Sequence, residues 1–151
     1  MVGRPKKIFI LVMLWLALCL IFVMWGIFSL SIMLQIPSWE KWLGEAIIPQ
    51  IHFGYLISTI VWFVFSSLFV VFAYATLRND SWAWTTGIII STIFLAIFGL
   101  MIAAFMVNAL MFFDWFSVWG LVTVVLSFMI DIGIVFYLTR PTTKLYFEIL
   151  E

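Results

Sequence analysis

Three long windows of the chain contain no Asp, Glu, Lys or Arg: residues 8–39, residues 46–77 (where His52 is the one imidazole) and residues 81–113. A helix needs about 20 mostly apolar residues to cross the ~30 Å hydrocarbon layer of a bilayer. Each window is therefore long enough for one crossing and too short for two crossings and a turn. A fourth apolar run follows, interrupted only by Asp131. The expected spans lie near 8–34, 52–77, 83–112 and 117–138. The predicted fold is all-α and integral to the membrane: an antiparallel four-transmembrane-helix bundle forming one membrane domain over residues 1–151.

Composition agrees. Hydrophobic residues make up 67% of the chain and charged residues 9%, against about 25% charged in a soluble domain. A small soluble core cannot hide that much apolar surface, because small domains bury only part of theirs. Net charge is zero, so no basic field draws nucleic acid. Cys19 is the only cysteine, which excludes an internal disulfide and paired-thiol chemistry.

Basic residues orient the spans. Arg4, Lys6, Lys7, Arg78, Arg140 and Lys144 fall on one side, and only Lys41 on the other. The positive-inside rule then predicts a cell-membrane protein with both termini cytoplasmic. The first apolar run is too long for a cleaved signal peptide and reads as an uncleaved anchor.

Between the first two spans, Trp39, Trp42, Leu43, Ala46 and Ile47 follow helical spacing. They predict a short amphipathic helix at 38–48 lying in the outer interface, bracketed by Pro37 and Pro49. Trp39 and Trp42 outside, with Trp82 and Trp84 inside, are expected as interfacial anchors. Asp80 or Ser81 is placed to cap the third span. Pro141 should stop the fourth, leaving a tail that rests on the inner interface.

Asp131 is the residue that calls for an explanation. It lies about 10 Å, at ~1.5 Å per residue, from the inner end of its span. A carboxylate at such depth costs about 2.5–3.5 kcal/mol on insertion scales. Gly120, Thr123, Ser127 and Asp131 form one stripe on the fourth span. Thr92, Ala96, Gly99 and Ala103 form a small-residue stripe on the third, the kind that lets helices approach closely. Asp131, Ser127, Thr123 and Thr92 thus make the candidate intramembrane polar site. It either pins the packing or couples a proton or cation. No second acid or in-span base accompanies it, which favours packing.

No metalloprotease, phosphate-loop or nucleophile-elbow pattern occurs, and a lone His52 is a weak ligand. No catalytic, metal or cofactor residue is assigned, and an enzyme is not expected. The leading expectation is an accessory or scaffold subunit of a membrane assembly. The alternative is a small transporter or exporter using Asp131. Expected partners are the lipid bilayer and either further copies of the chain or a larger membrane-protein complex.

The stretch from Tyr74 through Arg78-Asn79-Asp80-Ser81 to Trp82-Ala83-Trp84, and the ending Tyr137-Leu138-Thr139-Arg140-Pro141 with Lys144, Tyr146 and Phe147, resemble a family of small, uncharacterised prokaryotic four-span proteins. That resemblance implies the four-span layout and supplies no activity.

Overall fold

The computed structural model describes residues 6–35, 48–112 and 115–148. Five helices account for them: α1 (Lys6–Gln35), α2 (Ile48–Arg78), α3 (Ser81–Phe112), α4 (Trp115–Leu138) and α5 (Pro141–Glu148). The first four are long and apolar enough to cross a membrane, and the described residues contain no strand. The chain is a multi-pass membrane protein. Helices α1 to α3 have 30, 31 and 32 residues, or about 45–48 Å at ~1.5 Å per residue. That exceeds the ~30 Å hydrocarbon layer, so their ends reach the headgroups or the helices tilt.

Helix α2 starts at Ile48, earlier than the expected 52. Pro49 sits in its first turn, where a missing N–H is harmless because that donor has no intrahelical partner. The expected interfacial helix at 38–48, with Trp39 and Trp42, lies outside the described residues apart from Ile48.

The turn between α2 and α3 is a Schellman cap. The Asp80 N–H donates to the Ala75 carbonyl at 3.1 Å and the Asn79 N–H to that of Thr76 at 3.3 Å. Asn79 takes the left-handed conformation, φ 67°, which asparagine tolerates better than other non-glycine residues. Asp80 then holds the N-cap position of α3, its carbonyl accepting the Ala83 N–H at 3.0 Å. Pro141 both ends α4 and opens α5, so the tail is a short helix. Thr143 and Phe147 are its buried residues, and it rests on α3 and α4.

Two hairpins, α1/α2 and α3/α4, make the most extensive contacts. They join mainly through α1 against α4, while the α2 and α3 backbones scarcely meet. Aromatic rings fill that remaining gap. Phe22 of α1 contacts Trp62, Phe65 and Phe69 of α2 and Phe94 and Phe98 of α3 at centroid distances of 5.1–6.1 Å. Most of these pairs stand edge to face, the arrangement ring quadrupoles favour.

Burial along α4 follows a strict three–four spacing: Ser117, Gly120, Val124, Ser127, Asp131, Ile134 and Leu138. This is the seam of a left-handed bundle. Gly120 belongs to it by necessity, since a Cβ there would stand 2.5 Å from the Phe105 ring. On α3 the buried row is Ala83, Gly87, Ser91, Phe94 and Phe98. The stripe expected to face α4, Thr92 with Ala96, Gly99 and Ala103, is exposed instead. Side chains advance about 100° per residue on a helix, and the interlocking phenylalanines select the neighbouring row.

One end of the bundle, called basal below, gathers the start of α1, the α2–α3 turn and α5. There the Trp84 indole donates to the Leu138 carbonyl at 2.7 Å, satisfying an acceptor left over at the end of α4. Lys144 lies over the same ring at 5.7 Å. Trp84 thus ties α3 to α4, beyond any part in the interfacial belt. Trp82 is half exposed, with its ring near Phe72. We expect Trp84→Phe to lower the stability of the detergent-solubilised protein by about 1 kcal/mol, the usual value of one hydrogen bond. Trp82→Phe should change it far less. Thermal melts of the two variants compare them directly.

Candidate functional site: a closed polar layer around Asp131

Asp131 is fully buried, at 0% exposure. The α4 seam points it inward, and α3 and α1 close over it. From α3 comes Ser91, also at 0%. Its hydroxyl is the side-chain donor that bears on the carboxyl, although it falls outside hydrogen-bond geometry. From α1 comes Trp15, the third member at 0%.

The register of these helices is set by close approaches. A Cβ on Gly87, one turn from Ser91, would meet Trp15 Cζ2 at 3.4 Å and Leu138 Cδ1 at 3.3 Å. A Cβ on Gly133, two residues from Asp131, would meet Leu14 Cδ1 at 3.4 Å. Trp15, Ser91 and Asp131 therefore share one layer of the bundle. The outer faces of Trp15 are covered by Phe69 and Phe72, stacked at 5.8 and 5.0 Å.

Among the described residues, six buried side-chain atoms have no hydrogen-bond partner. Four of them lie in this layer: Trp15 Nε1, Ser91 Oγ and both oxygens of Asp131. The other two are on Asn79. An indole can only donate, a hydroxyl can do either, and an ionised carboxylate only accepts. The layer thus holds complementary groups at one level of the bundle, none of them hydrogen-bonded. Each buried unpaired group costs about 1–3 kcal/mol.

The other expected members of the site are accounted for differently. Ser127 is buried but donates to the Thr123 carbonyl at 2.8 Å. Thr123 donates to the carbonyls of Trp119 and Gly120, both at 3.0 Å. Thr92 is exposed and donates to the Ile88 carbonyl at 2.8 Å. The α2 hydroxyls Ser66 and Ser67, outside that expected set, likewise both return to the Phe63 carbonyl at 2.9 Å. Each hydroxyl has folded back on its own helix, a local bond open to Ser and Thr wherever water is absent. Of the four expected members, Ser127 and Asp131 lie on the buried seam of α4, and the α3 partner is Ser91 in place of Thr92.

Sequence reading missed Ser91 and Trp15. Ser91 was hidden by its neighbour Thr92, an equally good hydroxyl one residue away. Trp15 carried a usable signal: it stands mid-span, whereas membrane tryptophans gather at interfaces. A buried indole also needs somewhere to put its N–H.

Two cavities open in the other half of the bundle, called apical, and Asp131 lines neither. The described residues contain no group of three His, Cys, Asp or Glu able to hold a metal ion. Comparison with protein-family models, with curated proteins and with solved structures finds no match.

Proposed function

We propose that the protein is a non-enzymatic accessory or scaffold subunit of a membrane assembly, with both termini on the cytoplasmic side of the cell membrane. The observation that carries this reading is the closure of the Asp131 layer. A carboxyl used for transport needs a route for its proton or cation, and this one is sealed on every side by packed side chains. In a bundle whose faces are apolar all round, helices can slide past one another at little cost. A single polar residue at a seam position defines one register, at some expense of stability. Asp131 occupies such a position. The clustering of Arg78, Arg140 and Lys144 at the basal end, with the start of α1, supports the orientation.

One observation favours the alternative, a small transporter or exporter coupled through Asp131: its carboxyl is buried without a partner. The two readings separate experimentally. A tagged chain extracted from native membrane in mild detergent should bring down a fixed set of membrane proteins, and Asp131→Asn should bring down the same set. Recovery of a lone homo-oligomer would count against the scaffold. Proton- or cation-driven flux in proteoliposomes, lost in Asp131→Asn with assembly intact, would replace it with the transporter.

A further inference from the structure

Outside the Asp131 layer, the charged side chains among the described residues are Arg78, Asp80, Arg140 and Lys144, all at the basal end. Two of the three cations are held in the same way. The Arg140 guanidinium lies over the Phe136 ring at 4.2 Å, and that of Arg78 over the Tyr74 ring at 5.7 Å. In both, the ring stands four residues back along the chain, so the side chain turns toward the membrane mid-plane and not away into water. Phe136 is two residues from both Ile134 and Leu138 of the α4 seam, about 200° round the helix, and is 51% exposed. It therefore faces lipid, and it holds the guanidinium at the level of the last turn of α4.

A ring attracts a cation through its face, but it offers no lone pair to the N–H donors of a guanidinium. Among the described residues the Arg140 side chain makes no hydrogen bond and no ion pair. A cation at the edge of hydrocarbon needs a counter-charge, and the corner between α4 and α5 supplies a second cation instead. Arg140 caps α5, its carbonyl accepting the N–H groups of Thr143 at 2.9 Å and Lys144 at 3.1 Å. That places Lys144, which lies over Trp84, one turn from Arg140. No acid is among the described side chains of this corner. Arg78 differs, because Asp80 follows it two residues on.

We propose that the α4–α5 corner binds the phosphate of an anionic phospholipid in the basal leaflet. Arg140 offers the phosphate a forked pair of donors, the geometry in which guanidinium and phosphate pair best, and Lys144 adds a second positive charge. Phe136 is the platform that keeps Arg140 at headgroup depth. A zwitterionic head fits less well, because its ammonium would enter a corner that already holds two cations. The phosphate comes from lipid and not from solution, because Phe136 turns the guanidinium to the lipid side of α4. The site requires only that the basal end lies in a leaflet, whichever side of the membrane that leaflet faces.

The test uses the full chain in dodecyl maltoside micelles and phosphatidylglycerol carrying a dansyl group at the end of one acyl chain. Energy transfer from the chain's tryptophans reads the binding. It should saturate, and unlabelled phosphatidylglycerol should displace the probe about tenfold more effectively than phosphatidylcholine, a ratio equivalent to ~1.4 kcal/mol. Arg140→Gln should weaken binding about fivefold, equivalent to the ~1 kcal/mol of one basic residue near an anionic surface. Phe136→Leu, which keeps the charge and removes the platform, should weaken it about two- to fivefold, equivalent to ~0.5–1 kcal/mol. Arg78→Gln should weaken it less than about twofold, since Asp80 already stands near that cation. Equal displacement by phosphatidylcholine would overturn the anionic lipid. Displacement by millimolar inorganic phosphate, beyond that of chloride at the same ionic strength, would overturn the lipid source. A loss in Arg78→Gln as large as in Arg140→Gln, or none in Phe136→Leu, would replace the corner with the undivided charge of the basal end. The competition arms use the unmodified protein and so do not depend on any variant folding.

Discussion

Trp15→Ala is expected to destabilise the bundle by about 3 kcal/mol, the low end of the range for truncating a buried aromatic ring. Two terms normally make up that loss: transfer of the ring from water and the cavity it leaves. In a membrane the first is small, because the separated helix keeps its ring in lipid of similar polarity. The second is retained in full. Trp15 is entirely buried, stacks on Phe69 and Phe72, and lies against Gly87, so its removal takes contacts from three helices at once. Unfolding in mixed detergent micelles, followed by loss of helicity, measures the effect. Trp119→Ala, at an exposed position, is the control and should change stability little. Trp15→Phe should cost less than Trp15→Ala, about 1–2 kcal/mol, because it keeps a ring in the stack and deletes an unpaired N–H but leaves a gap where Cζ2 faced Gly87. If Trp15→Ala proved no worse than Trp119→Ala, the packing described around α1 would be wrong.

The second large effect has the opposite sign. Asp131→Val should raise stability by about 1–3 kcal/mol, because it removes two buried acceptors that have no partner. The same change should loosen the register of α3 against α4. Spin labels at the exposed positions Leu100 and Val122, in a chain with Cys19 replaced, should report one sharp distance for the parent. The distribution should broaden for Asp131→Val and stay sharp for Asp131→Asn, which keeps a polar group in the seam. A less stable Asp131→Val would reveal a net favourable bond from Ser91 or Trp15. A more stable variant with an unbroadened distance would remove the register role from the scaffold reading.

These two positions show what could be read from the residues and what could not. The depth and uniqueness of Asp131 were visible because charge is rare in this chain. Its stripe-mates Gly120 and Ser127 on α4 were visible too, since both lie on the buried row. The α3 side was not. A helix in water declares its inner face by the contrast between apolar and polar residues, but α3 is apolar on every side and its small residues occur on two rows. Choosing between Ser91 and Thr92 required knowing where Phe94 and Phe98 would lodge. That depends on Phe22, Phe65 and Phe69 of other helices.

The three uncharged windows, with the apolar run around Asp131, marked by themselves four helices long and apolar enough to cross a membrane, because each crossing needs a fixed length of mostly apolar helix. The Arg78–Ser81 turn and Pro141 likewise marked the basal connections through purely local chemistry. Only the tertiary structure decided which face of each helix turns inward, that Trp84 clasps the end of α4, and that Trp15 and Ser91 lie in the layer of Asp131. In lipid, burial scarcely distinguishes one apolar face from another. Shape complementarity, with rings set against glycines and seams spaced by threes and fours, is left to choose among them, and it exists only once the helices meet.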